Sequence, residues 1–254
     1  MMGLTVALET ATSSCSVAVA GPDGTLLAEI ISPRGPAHTR RLLPDLHHAL
    51  EIAAGSADEI ETVVVGLGPG TFTGLRIGVA TARSLAQAAG ARLLGVSSLS
   101  ALAVRLAEGD AGECADRFVA LIDGKRREVF AATYRRCPRP DATGEEGEAV
   151  AAPRLTASDP LSVVGAEELE EYLLERSGAL VGGDGAHLYA DRLPHCVRLS
   201  ALVRAPTASM VLRAWRAGAP GVVDGPEKTV PVYGRRPDAA RWTGRDGAGA
   251  GGVS

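Results

Sequence analysis

Three groups of residues have the types and spacing for chemistry. The first is a hydroxyl turn, Thr10-Ala11-Thr12-Ser13-Ser14, directly after the apolar run Leu4 to Leu8 and Glu9. The second is Gly66-Leu67-Gly68-Pro69-Gly70-Thr71-Phe72-Thr73-Gly74-Leu75-Arg76-Ile77-Gly78, set between a valine-rich segment and a long apolar helix pattern. The third is Gly182-Gly183-Asp184-Gly185, with a further carboxylate at Asp123. Phosphate binding is the chemistry they suggest, because free N–H groups at a helix start receive anions. The competing reading is structural: glycines allow positive φ and close backbone approach, and hydroxyl turns satisfy their own backbone. Asp123 likewise suits a type I turn. No Gly-Lys-Ser/Thr follows the glycine run, so it is not a P-loop.

The remaining reactive residues lack obvious partners. His38 and the pair His47-His48 do not converge on a metal, since adjacent helix residues point to different sides. Cys15, Cys114, Cys137 and Cys196 are unevenly spaced without a C-x-x-C pair, which implies reduced thiols. The missing G-x-S-x-G elbow and H-E-x-x-H motif argue against a peptidase, and Ser13, Ser14 and Cys15 have no assigned base.

Composition sets the frame for these groups. With 254 residues, 46% hydrophobic and 22% charged, the chain has room for one large or two ordinary globular domains. A formal net charge of −4 argues against gripping nucleic acid unaided. Lys125-Arg126-Arg127, Arg135-Arg136 and Arg235-Arg236 therefore read as solvated surface. No apolar run reaches the ~18 residues of a membrane span, and the first residues resemble a strand more than a signal peptide, so the expected location is cytoplasmic.

The periodicities predict strands at Leu4 to Leu8, Cys15 to Ala20 and Leu26 to Ile31, joined as an antiparallel meander. A helix follows from about Thr39 to Ala53, with Pro44 in its first turns, then a buried strand at Thr62 to Leu67. The glycine run opens a helix ending at Gly90, followed by a strand at Leu93 to Val96 and a helix capped by Ser97 or Ser98. Beyond the polar break Glu108 to Glu113 come a hairpin, Phe118 to Ile122 with Glu128 to Tyr134, and a surface loop from Cys137 to Ala152. An acidic amphipathic helix over Ala166 to Arg176, a short strand at Leu180-Val181, a helix from Thr207 and an extended Val230 to Tyr233 complete the order. Each half opens with paired strands and carries a strand–glycine-turn unit, which predicts a duplicated α/β architecture. The expected division is 1–108 for the N-terminal domain, 109–236 for a smaller C-terminal domain and 237–254 for a flexible tail.

Five blocks in this order resemble the TsaB (YeaZ) family, the bacterial non-catalytic subunit of the tRNA threonylcarbamoyladenosine machinery. They are Leu8-Glu9-Thr10-Ala11-Thr12, His38-Thr39-Arg40-Arg41-Leu42-Leu43-Pro44, Gly68 to Gly78, Ile122-Asp123 with Glu128-Val129-Phe130, and Pro231-Val232-Tyr233-Gly234-Arg235. The resemblance runs from Leu4 to about Arg236, and the glycine block is the specific one. It implies an actin-like ATPase (sugar kinase/Hsp70/actin) fold of two related α/β domains with mixed sheets. It also implies pairing with the catalytic paralogue TsaD and cooperation with the ATPase TsaE. That assembly moves a threonylcarbamoyl group from its adenylate to N6 of adenosine 37 in tRNAs reading ANN codons. Where the catalytic paralogue carries two metal-binding histidines, this sequence has Ser98 and Leu102, so no metal, cofactor or catalytic residue is expected here.

The resemblance further implies that the two helices of the first domain form the pairing face, which would also allow a homodimer when the partner is absent. The residues expected there are Leu42, Leu46, Leu75, Gly78, Val79, Ala82, Leu85 and Ala86. The alternative is that their small and apolar side chains only seat the helices on their own sheet. Thr10, Thr12, Ser13, Gly68, Gly70 and Gly183 are the candidate vestigial phosphate-binding positions, and tRNA is expected to be met only through the complex. The competing function is a small-molecule kinase or ATPase of the same fold, with Asp123 or Asp184 on magnesium. Against it, the first turn reads Glu9-Thr10-Ala11-Thr12 in place of the Asp-x-Gly-Thr turn of such kinases.

Overall fold

The computed structural model describes residues 3–32, 38–109, 114–138 and 153–234. The tail expected from 237 and nearly all of the expected surface loop at Cys137 to Ala152 lie outside them.

The opening meander is present as β1 (Leu4–Glu9), β2 (Cys15–Ala20) and β3 (Leu26–Ser32). α1 (His38–Ile52) leads to β4 (Ile60–Gly66), α2 (Phe72–Ala89), β5 (Arg92–Val96) and α3 (Ser98–Glu108). α2 stops where Gly90 takes the left-handed conformation, φ 65°. At the start of α3 the Ser97 side chain accepts the Ser100 N–H, the expected cap. The second half supplies β6 (Arg117–Lys125), β7 (Glu128–Arg136), β8 (Leu155–Gly165), α4 (Leu169–Leu174), β9 (Leu180–Gly182) and α5 (Asp184–Leu188). β10 (Arg198–Leu199), α6 (Ala208–Arg216) and β11 (Val223–Asp224) end the described elements.

The strands form two mixed sheets with one pattern. The first has the order β3-β2-β1-β4-β5, extended by β11, and the second has β8-β7-β6-β9-β10. In each, the first three strands are antiparallel and the next two join in parallel. This repetition is the duplicated α/β architecture with mixed sheets that the sequence predicts.

Three cores follow from which face of each sheet is covered. On the outer face of the first sheet, Leu42, Leu46 and Ala49 of α1 and Val79, Ala82 and Ala86 of α2 pack on Val6, Val63 and Val65. Between the sheets, Leu99, Leu102 and Leu106 of α3 and Val211 and Leu212 of α6 lie among Ala7, Ala18, Ala20, Phe118 and Tyr134. The outer face of the second sheet is covered by Leu169, Leu173 and Ala186.

The middle layer is exchanged between halves. α3 packs on β6, β7 and β9 of the second sheet, whereas α6 packs on β1, β2 and β4 of the first. Alanines on the inner face of β1 and β2 leave room for α6, whose Ala208 N–H donates to Ser16 Oγ at 2.9 Å. β11 then pairs with β5, and Val232 N–H donates to Leu67 O at 2.8 Å. Residues 208–234 thus return to the first sheet, a crossing that a division at 108/109 does not anticipate.

Local differences have local causes. β8 is an eleven-residue strand where no strand was predicted, because its alternation is broken by Pro160 and polar side chains. The acidic helix shortens to Leu169–Leu174. The hairpin turn sits later than expected: the Asp123 carboxylate accepts the Lys125 N–H, and Lys125, Arg126 and Arg127 take φ of 61°, 52° and 62°.

Candidate functional site

The glycine run and the hydroxyl turn fold onto each other. β1 and β4 are parallel neighbours, so the turn after β1 and the turn after β4 emerge side by side at the carboxyl end of the central strands. Thr71 N–H donates to Ala11 O at 2.7 Å, and Thr10 Oγ1 donates to Gly74 O at 2.8 Å. The glycines exist for this contact. A Cβ on Gly70 would lie 2.1 Å from Ala11 O, one on Gly74 2.2 Å from Thr10 O, and one on Gly78 2.2 Å from Thr10 Oγ1. Helix α2 therefore approaches the first turn at backbone distance, and the structural reading of the motif accounts for its composition.

Beneath this contact lies a buried carboxyl. Glu9 Oε1 accepts the Ala11 N–H at 2.7 Å, and Oε2 accepts Ser98 Oγ–H at 2.7 Å. Ser98 Oγ in turn accepts the Gly68 N–H at 3.2 Å. Burial pushes the Glu9 carboxyl above its ordinary value, against the lowering effect of the Ser98 hydrogen bond. Ser98 thereby ties the first turn, the glycine turn and the start of α3 together. Leu102, one turn later, is fully buried in the middle core.

The candidate phosphate positions are placed as follows. Thr10 and Thr12 are buried, the first bonded to Gly74 and the second to Ser14 at 3.0 Å. Gly68 has φ 90°, and a Cβ there would meet Leu75; Gly70 abuts Ala11. Gly183 belongs to the second half, with φ 112° and a Cβ position 2.1 Å from Leu121 O. Only Ser13 is exposed. Asp184, which follows Gly183, accepts the Asp123 N–H through Oδ1 at 3.1 Å. Burial raises its carboxyl to about 6. Asp123 holds Lys125 through both its carboxylate oxygens.

The expected pairing residues need correction. Leu42, Leu46, Leu75, Gly78, Val79, Ala82 and Ala86 are buried within the chain, and Leu85 is half-buried against the same outer core. Both amphipathic helices turn their apolar stripes to their own sheet, as burial demands. The surface they leave outward is different: Leu43 (59% exposed), Pro44 and His47 on α1, and Thr73, Ala80 and Ser84 with the half-buried Ile77 on α2. Spacing did not single out Leu43, because an apolar stripe of about 100° or more admits adjacent residues, as Ala49 and Leu50 show in the same helix.

Phe72 and Arg76 join the segment that returns from β11. The Phe72 and Tyr233 ring centroids are 5.1 Å apart, and the Arg76 guanidinium lies 3.8 Å from the Phe72 centroid. Sequence reasoning noticed both motifs and had no means of bringing them together. No group of three metal-ligating side chains occurs among the described residues, and no helix there is long and apolar enough to cross a membrane.

Comparison with known proteins adds the following. A family model described as "TsaD: tRNA N6-adenosine threonylcarbamoyltransferase" matches residues 26–157, just over half of the chain. An uncharacterized protein of Mycobacterium leprae is 39% identical over 173 residues, 66% of this chain and 44% of that one. The "tRNA threonylcarbamoyladenosine biosynthesis protein TsaB" of Escherichia coli is 38% identical over 151 residues, 59% of this chain and 63% of that one. The matched region thus spans less than two thirds of either relative. Among solved structures, YeaZ from Pseudomonas aeruginosa superposes with a TM-score of 0.68 at 28% identity, covering 91% of this chain and all of that one.

Proposed function

The chain belongs to the TsaB (YeaZ) family, and from that premise we propose that it is the non-catalytic, activating subunit of a tRNA threonylcarbamoyltransferase assembly. The observation that carries this reading is the closure at Ser98. The hydroxyl is held between Glu9 and Gly68 N–H, at a position where the family's catalytic paralogue is expected to carry a metal-binding histidine. A leucine at the companion position, Leu102, cannot ligate a metal. Polarising the acyl donor is then the task of a TsaD-type partner.

In this reading the partner packs on the outward faces of α1 and α2, through Leu43, Pro44, Ile77 and Ala80, and not through the buried stripes beneath them. Two helices of about four turns can offer the roughly 800 Å² per partner of a stable interface. The same face allows a homodimer when the partner is absent. A TsaE-type ATPase joins the pair in the cytoplasm, and the assembly forms N6-threonylcarbamoyl adenosine at position 37 of tRNAs reading ANN codons.

Reconstitution of tRNA threonylcarbamoylation from purified components, with this chain present or omitted, tests the proposal. Activity that requires the chain, with none from the chain alone, is the expected result; full activity without it would overturn the proposal. The close contact of Ala11, Gly70 and Thr71 also predicts weak intrinsic nucleotide affinity. Isothermal titration with ATP should detect no low-micromolar binding, and such binding would favour the kinase alternative.

A further inference from the structure

At the first turn of α2 the glycine block meets the returning chain, and the contact leaves an aromatic surface open. Phe72 is 49% exposed, and its ring is tilted 33° from that of Tyr233. Arg76 lies over Phe72 and donates from Nε to Tyr233 Oη at 3.2 Å. Two turns along the same flank, Arg83 donates to Pro226 O at 2.6 Å and to Thr229 O at 2.9 Å. Residues 157 apart in sequence thus build one surface.

The charge on this flank is uneven. Arg76 and Arg83 bond a phenol and backbone carbonyls, and no ion pair of either with a described carboxylate occurs. Of the carboxylates on the returning segment, Asp224 is held by Arg92, and Glu227 is exposed beside Lys228 in the sequence. Lys228 is exposed nearby. In a chain of formal net charge −4, Arg76 and Arg83 make this flank locally cationic, beside the exposed Phe72 ring and the half-buried Tyr233. Interleaved aromatics and uncompensated arginines suit single-stranded RNA, whose bases stack on rings and guanidinium planes while its phosphates meet the cations. A protein partner burying the same face would have to bring carboxylates to it.

We propose that the flank of α2 formed by Phe72, Arg76, Arg83 and Tyr233 is a contact site for single-stranded RNA. A base stacks on the Phe72–Tyr233 pair, and the backbone follows the arginines. The inference rests on the reading that the chain serves a tRNA-modifying assembly, and it assigns this chain a direct contact with the RNA within that assembly.

The test is tRNA binding by the complex with a TsaD-type partner, read by fluorescence anisotropy at several salt concentrations. Co-elution and thermal melting are measured on the same samples. Tyr233→Ala and Arg76→Gln should each weaken binding about 5- to 100-fold, the range that loss of one stacked base or cation allows. Tyr233→Phe, which keeps the ring, should retain wild-type affinity. Arg76→Gln should also lower the salt slope by about one. Unchanged tRNA affinity with intact pairing would overturn the proposal. Loss of co-elution with tRNA affinity retained would show a protein contact and overturn it equally. If the wild-type chain forms no complex, the functional reading fails separately. The isolated chain is then titrated at low salt with a fluorescent single-stranded RNA of about 12 nucleotides, within single-strand site sizes. A wild-type-to-variant difference there supports the site, and equal binding sinks it.

Discussion

At the residue scale, the glycines of the signature run are explained by what a methyl group would strike. Gly78 faces a side-chain atom, Thr10 Oγ1, whereas Gly74 faces the backbone oxygen of the same residue, each 2.2 Å from the absent Cβ. The two positions should therefore respond differently to relief. Gly78→Ala and Gly74→Ala should each destabilise by about 1–3 kcal/mol in urea unfolding. Adding Thr10→Ala should recover part of the Gly78→Ala loss and none of the Gly74→Ala loss. Equal recovery in both cycles would contradict the contact as described.

Asp184 supplies the second residue-scale prediction. Its carboxyl, about 6 in the folded chain, lies above the ordinary 3.8 because of burial, with a further rise from the Asp123 charge. Between those values the native state binds more protons than the unfolded one, so stability falls as pH rises from about 4 to about 6. Asp184→Asn keeps an oxygen for the Asp123 N–H and removes the buried charge. The variant should match the wild type near pH 4 and exceed it at pH 7 by up to about 3 kcal/mol. A pH-independent difference in urea midpoints would assign the effect to packing.

At the element scale, α2 is divided among three roles around its circumference. One stripe is buried on the sheet, one flank is gripped by the returning segment, and one face is left outward. This division decides which substitution interrogates pairing. Ala82 is fully buried, so Ala82→Arg places a charge in the outer core and should unfold the chain by circular dichroism. Ala80 is exposed, and Ala80→Arg should preserve the melting profile while preventing co-elution with a TsaD-type partner. Retained co-elution would remove the outward face of α2 from the interface. Helix α1 has the same logic, with Leu43 outward and Leu42 inward.

At the scale of the whole molecule, the halves are interlocked. The inner face of the first sheet is covered by α6, which arrives about two hundred residues after β1 and bonds to Ser16 and Glu29. A fragment of residues 1–108 exposes Ala7, Ala18, Ala20 and Val64 to water and lacks the β11 edge. Such a fragment should be aggregated or uncooperative in thermal unfolding. The same fragment fused by a flexible linker to residues 205–234 should regain a cooperative transition. Cooperative folding of 1–108 alone would mean that α3 can turn back to cover its own sheet.

The sequence by itself determined the elements of the first half, the duplicated α/β class and the family. β-Branched runs, capping serines and the Gly90 stop act over a few residues, and a short window contains everything they need. It also held both readings of the glycine run open. Only the tertiary structure supplied a packing reason for the glycines, because the neighbour that fills the space over Gly70, Gly74 and Gly78 is Thr10-Ala11, some sixty residues earlier. The same reason explains the misplaced pairing residues. An amphipathic stripe announces that it will be buried, but whether by its own sheet or by another chain depends on what lies opposite, and that is a property of the assembled layers. The exchange of α3 and α6, and the meeting of Phe72 with Tyr233, were out of reach for the same cause: contacts distant along the chain leave no local period to read.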